Sequence, residues 1–213
     1  MRIGVLGSGQ VGQALGRGWA RHGHDIVLGT GNPQRAELQE WAAATGARVA
    51  EFADATRHGD VVALALLGTA TLDVLHQVGP DAFAGKVVID ATNPLTFEGG
   101  RPGLFVGHTD SLGEQVQRAL PDARVVKAYN TVGNALMVDP QLPGGPPTMF
   151  LAGDDDEAKQ TVVDLLAATG WENADLGDIS AARELEAMCL AWVRYGARTG
   201  TWNHAFRLLR ADH

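Results

Sequence analysis

Cysteine is almost missing from this chain, with one residue, Cys189, in 213. It allows no intramolecular disulfide and no cysteine-based metal cluster, and a reducing compartment fits. Basic charge is also in short supply, with 17 Lys and Arg against 25 Asp and Glu and a formal net charge of −8. That balance argues against nucleic acid as a partner and requires any phosphate site to be local. The opening hydrophobic stretch is cut by Gly4, Gly7, Ser8 and Gln10, which leaves neither a secretory core nor a membrane span. The expectation is a cytoplasmic protein with no membrane partner. Seven histidines are scattered along the chain, and only His22 and His24 stand close, in a turn, so no metal site is expected. An apolar fraction of 45% with 20% charged residues is ordinary for a globular chain, and the length suits one main core with a small appendage.

Glycine, by contrast, is plentiful, and its placement carries information. Residues 2–12 read Arg-Ile-Gly-Val-Leu-Gly-Ser-Gly-Gln-Val-Gly, a buried strand breaking into Gly-x-Gly-x-x-Gly at Gly7, Gly9 and Gly12. From Gln10 onward Val11, Ala14, Leu15 and Trp19 share one helical face, so strand, turn and helix follow in the order of a dinucleotide site. Gly7 can take the tight turn, Gly9 lets a pyrophosphate approach the backbone, and Gly12 lets the helix press on the strand. Ser8, Gln10 and Val11 complete a turn whose free N–H groups and helix dipole make an anion site without a basic side chain.

A short second strand over 25–29 closes a βαβ unit. NAD sites carry an Asp or Glu near the end of that strand, yet residues 29–34 read Gly-Thr-Gly-Asn-Pro-Gln. With no carboxylate there, Thr30 and Asn32 can donate hydrogen bonds instead, and Arg35, in the first turn of a helix over 34–45, can balance a 2′-phosphate. This favours NADP over NAD. The same stretch, Thr30 to Pro33, also reads as a turn capping that helix.

Further on, a continuous apolar run over 60–67 reads as a central parallel strand that brings Leu66, Leu67 and Gly68 to the sheet's carboxyl edge, where ligands of such sheets bind. Another strand over 85–90 leads into Ala-Thr-Asn-Pro-Leu. Asn93 reads equally as a residue facing the nicotinamide end or as the start of an Asn-Pro turn. Residues 96–109 read as a loop over the site. A strand over 123–129 then delivers Asn130 and Thr131. The acidic run at 154–157 reads as a helix N-terminus rather than a metal site. A helix over 181–195 puts Leu185, Met188, Cys189, Trp192 and Val193 on one stripe, by itself a core or subunit contact, and a second helix is expected over 201–209. The expected fold is α/β, a Rossmann-type doubly wound, mostly parallel sheet over 1–176. A helical appendage over 177–213 would pack on the site and on a partner subunit in a homodimer.

Several of these stretches resemble the NADPH-dependent coenzyme F-420 reductases, whose fold also occurs in the reductase domain of the STEAP metalloreductases. The matching pieces are residues 3–12, Gly-Thr-x-Asn-Pro at 29–33, Asp-Ala-Thr-Asn-Pro at 90–94, Val-Lys-Ala-Tyr-Asn-Thr-Val-Gly at 126–133, and Leu-Glu-Ala-Met at 185–188. The resemblance implies direct hydride exchange between nicotinamide C4 and deazaflavin C5, stacked face to face with no proton-shuttling pair, so no catalytic acid or base is expected. It places the cofactor on Asn93, Asn130 and Val132. The second ring falls on Pro94, Gly133 and Asn134, with Met188 and Trp192 as its wall. Where the family commonly has an Arg for the 2′-phosphate this chain has Gly31, which shifts the task to Thr30, Asn32 and Arg35. The implied partner is a small-molecule hydride acceptor, F-420 or a flavin. A flavin- or ferric-directed NADPH reductase and a non-catalytic NADP(H) sensor are the alternatives.

Overall fold

The computed structural model describes residues 1–211. Strand and helix alternate through the first half as β1 (Arg2–Leu6), α1 (Gln10–Arg21), β2 (Asp25–Gly29), α2 (Ala36–Thr45), β3 (Arg48–Ala50), α3 (Phe52–His58), β4 (Val61–Leu64), α4 (Gly68–Val78) and β5 (Val87–Asp90). There follow β6 (Leu95–Glu98), β7 (Arg101–Leu104), α5 (Leu112–Ala119), β8 (Arg124–Lys127), β9 (Thr148–Gly153), α6 (Asp156–Ala168), β10 (Glu172–Asp175) and α7 (Ala182–Thr199). Eight strands make one sheet in the order β10-β9-β8-β5-β4-β1-β2-β3. Its pairings are parallel except β8 with β9. This is the doubly wound, mostly parallel arrangement expected.

The central strands are apolar on both faces because helices cover both. Ile3 and Val5 of β1 and Ile89 of β5 join Leu15 and Trp19 of α1 in one cluster. Leu6, Val62, Leu64 and Val88 point the other way, onto Leu75 of α4 and Val116 of α5. Each of these fully buried aliphatic side chains contributes on the order of 1.5–3 kcal/mol. A slip of one residue would exchange the two faces and mispack both clusters, so the carboxyl ends stay aligned beneath the site.

Two segments depart from the sequence reading. The expected loop over 96–109 contains an antiparallel hairpin, Leu95↔Leu104 to Glu98↔Arg101, closed by Gly99 and Gly100 at φ 58 and 78. Two successive positive φ values match the twist of a tight hairpin, and Gly-Gly adopts them without a Cβ penalty. The expected helix over 201–209 does not form, and this stretch has no regular secondary structure. Instead α7 continues past Tyr195 to Thr199, stops at Gly200 in the left-handed region, and the tail is drawn along β9. Thr148 N donates to Phe206 O (2.9 Å) and Leu208 N donates to Thr148 Oγ1 (3.0 Å), so β9 takes backbone groups a helix would pair internally. β10, not foreseen, is an edge strand of sequence Glu-Asn-Ala-Asp in which only Ala174 is buried, so it lacks the apolar alternation that marks a strand. Among the described residues no helix is long and apolar enough to cross a membrane.

Candidate active site

The glycine turn links β1 to α1. Gly7 sits at φ 120 and its N–H donates to Gly29 O (3.0 Å). A Cβ on Gly7 would lie 2.2 Å from Ala65 O, and one on Gly12 would lie 1.8 Å from Gly7 O, so the fold itself requires both glycines. Gly9 differs, since a Cβ there would meet nothing within 4 Å among the described residues. The space over it is open to something from outside. α1 starts with no side-chain cap and no acidic residue in its first turn, which leaves its N–H groups and positive dipole end available to an anion. A pyrophosphate fits these features. The turn is braced by Gln13 Nε2 donating to Ser8 O (2.9 Å) and by a hydroxyl contact between Ser8 and Thr30 (3.0 Å).

At the end of β2, Thr30 is buried with its hydroxyl engaged by Ser8, and Asn32 Oδ1 accepts Gln34 N (3.2 Å) in an Asx turn. Arg35 lies at the N-cap of α2 rather than in its first turn and pairs with Glu37, Nε to Oε1 at 2.7 Å. Hydrogen bonding from its own backbone N–H and then from Arg35 holds the Glu37 carboxyl below the usual range. Gly31 and Phe52 border a depression of about 140 Å³ beside this turn. Leu66 and Leu67 belong to the turn after β4, with Leu67 78% exposed, and Gly68 opens α4 against the backbone of Asn93.

A larger cleft of about 440 Å³ begins at Gln10 and Val11 of α1. Its floor is Ala91, Asn93, Asn130 and Val132, its far side Gly133 and Asn134, and its wall Cys189, Trp192 and Val193 of α7 with Trp202 of the tail. Pro94 is buried and Met188 half-buried, and neither lines this cleft. Asn93 Nδ2 donates to Asn130 O (2.9 Å), while Asn130 Nδ2 donates to Asn93 Oδ1 (3.0 Å) and to Leu185 O (2.9 Å). Asn130 Oδ1 is buried and has no partner among the described residues, so an acceptor is held ready there. The preceding Tyr129 has φ 62, a left-handed conformation costing a bulky residue roughly 1–3 kcal/mol. Its ring, edge-on to Trp19 at 5.7 Å, locks that bend in place. Trp202 was not foreseen as a wall residue, because a helix over 201–209 would have placed it differently.

Behind the floor lies a buried charge cluster absent from the sequence-derived site. Lys127 Nζ donates to Asp90 Oδ2 (2.9 Å), Thr92 O (2.8 Å) and Glu186 Oε1 (2.8 Å). Asp90 Oδ1 accepts from Thr92 N (2.9 Å) and Thr92 Oγ1 (2.6 Å). Glu186 accepts Leu112 N (3.0 Å) and Gly113 N (2.9 Å) at the start of α5. Burial opposes the Lys127 charge, but the two carboxylates outweigh it and raise the ammonium above its usual value. The available signal was a Lys inside an apolar strand, an Asp ending another, and a Glu beside the apolar stripe of α7.

Burial pushes the Cys189 thiol up to about 12 and raises the Tyr129 phenol as well, so the cleft's own titratable side chains stay neutral near pH 7. Such a lining suits transfer of a hydride rather than a proton. A Rossmann sheet, an uncapped glycine turn and a neutral, aromatic-walled cleft at the strand ends together define a dinucleotide-linked oxidoreductase.

Residues 2–94 match the family model for NADP oxidoreductase, coenzyme F420-dependent. The F420-dependent NADP reductase of Methanocaldococcus jannaschii is 30% identical over 201 residues, 88% of this chain and 89% of that protein. A solved structure of a candidate F420-dependent NADP reductase from Arthrobacter sp. FB24 superposes with a TM-score of 0.93 at 38% identity, covering 99% of this chain and 100% of that one. Rat metalloreductase STEAP3 is 29% identical over 190 residues, and this chain spans 36% of its length. The chain belongs to the F420-dependent NADP reductase family.

Proposed function

We propose that this protein transfers a hydride between NADP(H) and coenzyme F-420, or a planar acceptor of the same kind. The observation that carries this reading is continuity. Gln10 and Val11 both open α1 at its uncapped end and line the cleft that Trp192 and Trp202 close on the other side. A dinucleotide whose pyrophosphate sits on the turn therefore reaches its second ring into a walled space.

When bound, NADP(H) supplies the hydride at nicotinamide C4. Gly7 to Gly12 would hold the pyrophosphate. Thr30, Gly31, Asn32 and Arg35, once Arg35 releases Glu37, would hold the 2′-phosphate end, with Leu66, Leu67 and Gly68 alongside. Asn130 Oδ1 would accept from the carboxamide, Asn93 would fix Asn130, and Val132 would back the ring. Gly133, Asn134, Trp192 and Trp202 would flank the acceptor, with Pro94 and Met188 supporting from outside the cleft. The side chains contribute alignment and exclusion of water, the main requirements of a direct hydride step.

The test is to mix NADPH with oxidised F-420, FMN and FAD and follow its oxidation. Turnover with the deazaflavin is expected. Likeness to STEAP3 favours a second reading, a flavin- or ferric-directed reductase, which turnover with FMN, FAD or ferric chelates alone would select. Tight NADPH binding without oxidation by any acceptor would select a sensor. We also propose a cytoplasmic homodimer in which the 177–213 segment, of which residues 212 and 213 lie outside those described, covers the site, and ultracentrifugation showing only monomer would remove the dimer.

A further inference from the structure

The Asp90, Lys127 and Glu186 cluster does not line the cleft, yet it is bonded to the residues that do. Asp90 and Lys127 together hold Thr92, the neighbour of Asn93. Glu186 follows Leu185, whose carbonyl anchors Asn130. Resting on the reading of the cleft as an NADP(H) site, we propose that this triad is a positioning device. It fixes α7 and its aromatic wall relative to the Asn93–Asn130 floor, and so fixes where the nicotinamide ring lies.

Stability alone does not account for such a cluster. A buried ion set is often no more stabilising than an apolar one of equal volume, because desolvation offsets the attraction. What the ions add is direction. All three Lys127 N–H groups are used, on acceptors from β5, the segment after β5, and α7. Both Glu186 oxygens are used, and their donors at the N-terminus of α5 place that helix's positive end against the surplus carboxylate. A Cβ on Gly113 would lie 2.7 Å from Ala182 Cβ, so α5 and α7 meet with no slack. With every polar group committed, α7 has one seat. Displacement by about 1 Å is enough to cost a reacting pair on the order of 100-fold in rate.

The near-isosteric Glu186→Gln and Asp90→Asn variants test this, the second serving if the first folds poorly. Two ligands are titrated against variant and wild type: NADPH, and adenosine 2′,5′-bisphosphate, which lacks the nicotinamide. A positioning role predicts bisphosphate affinity within about twofold of wild type and NADPH affinity weakened about tenfold or more. Single-turnover hydride transfer should slow further, with a larger isotope effect from 4-deuterated NADPH. Parallel weakening of both ligands, or no change in either, would overturn the proposal and leave a purely structural cluster. A wild type that binds NADPH but reduces no deazaflavin would sink the acceptor assignment, while the ratio of the two affinities still decides the positioning role.

Discussion

Around Gly7 to Gly12 the candidate cofactor end of the cleft is made of backbone, whereas around Asn93, Asn130 and Glu186 the ring end is made of side chains from three distant stretches. The first needs space and free N–H groups, and eleven consecutive residues, 2–12, supply both. The second needs charges and amides to converge, and its bonds span 37 residues from Asp90 to Lys127 and 59 from Lys127 to Glu186. Backbone sites tolerate much change in side chain but little in Cβ. Side-chain sites show the reverse, and the two ends should therefore fail in different ways.

The largest effect is expected at the turn. Gly12→Val drives a Cβ into Gly7 O and should lower both thermal stability and NADPH affinity, the latter by more than about 100-fold as the turn opens. Gly9→Ala meets no atom within 4 Å among the described residues, so it should leave the melting temperature unchanged while weakening NADPH about tenfold, and calorimetry with ligand titration separates the two.

At the other end, Lys127→Met leaves two buried carboxylates without their cation and should cost about 3–5 kcal/mol in urea unfolding. Because the folded Lys127 value lies above its usual 10.5, this contribution is complete below pH 10.5 and is lost only as pH rises through the higher folded value. In urea unfolding the Lys127 ammonium should therefore add no pH dependence to wild-type stability between about pH 6 and 9.

Between these, Trp202→Ala removes a half-exposed wall residue. It should raise the acceptor KM by about tenfold with NADPH affinity unchanged, a split that steady-state kinetics and fluorescence titration would show. The smallest effect is expected at Arg183, which pairs with Glu114 between α7 and α5. Its hydrogen bonds hold the Glu114 carboxyl below its ordinary 4.5, so the pair stabilises above pH 4.5 and fades as pH falls through the lower folded value. Arg183→Met should lower the melting temperature only slightly at pH 7, by an amount that shrinks as pH falls below 4.5, which thermal melts across that range would show.

The same contrast explains what could be read from the sequence. The alternation of apolar strands and helices was legible because burial imposes a period, and the glycine turn because steric needs leave glycines at fixed spacing. The Gly99-Gly100 pair is itself a hairpin signal, since adjacent glycines accept the two positive φ values a tight turn needs. The tail over 201–209 carried none, since its path is set by Thr148 of β9 more than fifty residues away in sequence. The buried triad was visible only as three unexplained charged residues inside three motifs, at 90–94, 126–133 and 185–188. Their convergence depends on strand order, with β5 beside β8, and on the return of α7, which no local pattern encodes.

Hydride passage across the cleft is proposed to be direct, without exchange with solvent. Its most direct test is to incubate the protein with stereospecifically 4-deuterated NADPH and oxidised coenzyme F-420 in light water, then locate the label by mass spectrometry and NMR. Direct transfer predicts deuterium at C5 of the reduced deazaflavin with none released to solvent. Reduced F-420 carrying solvent hydrogen at C5, or no reduction at all, would contradict it.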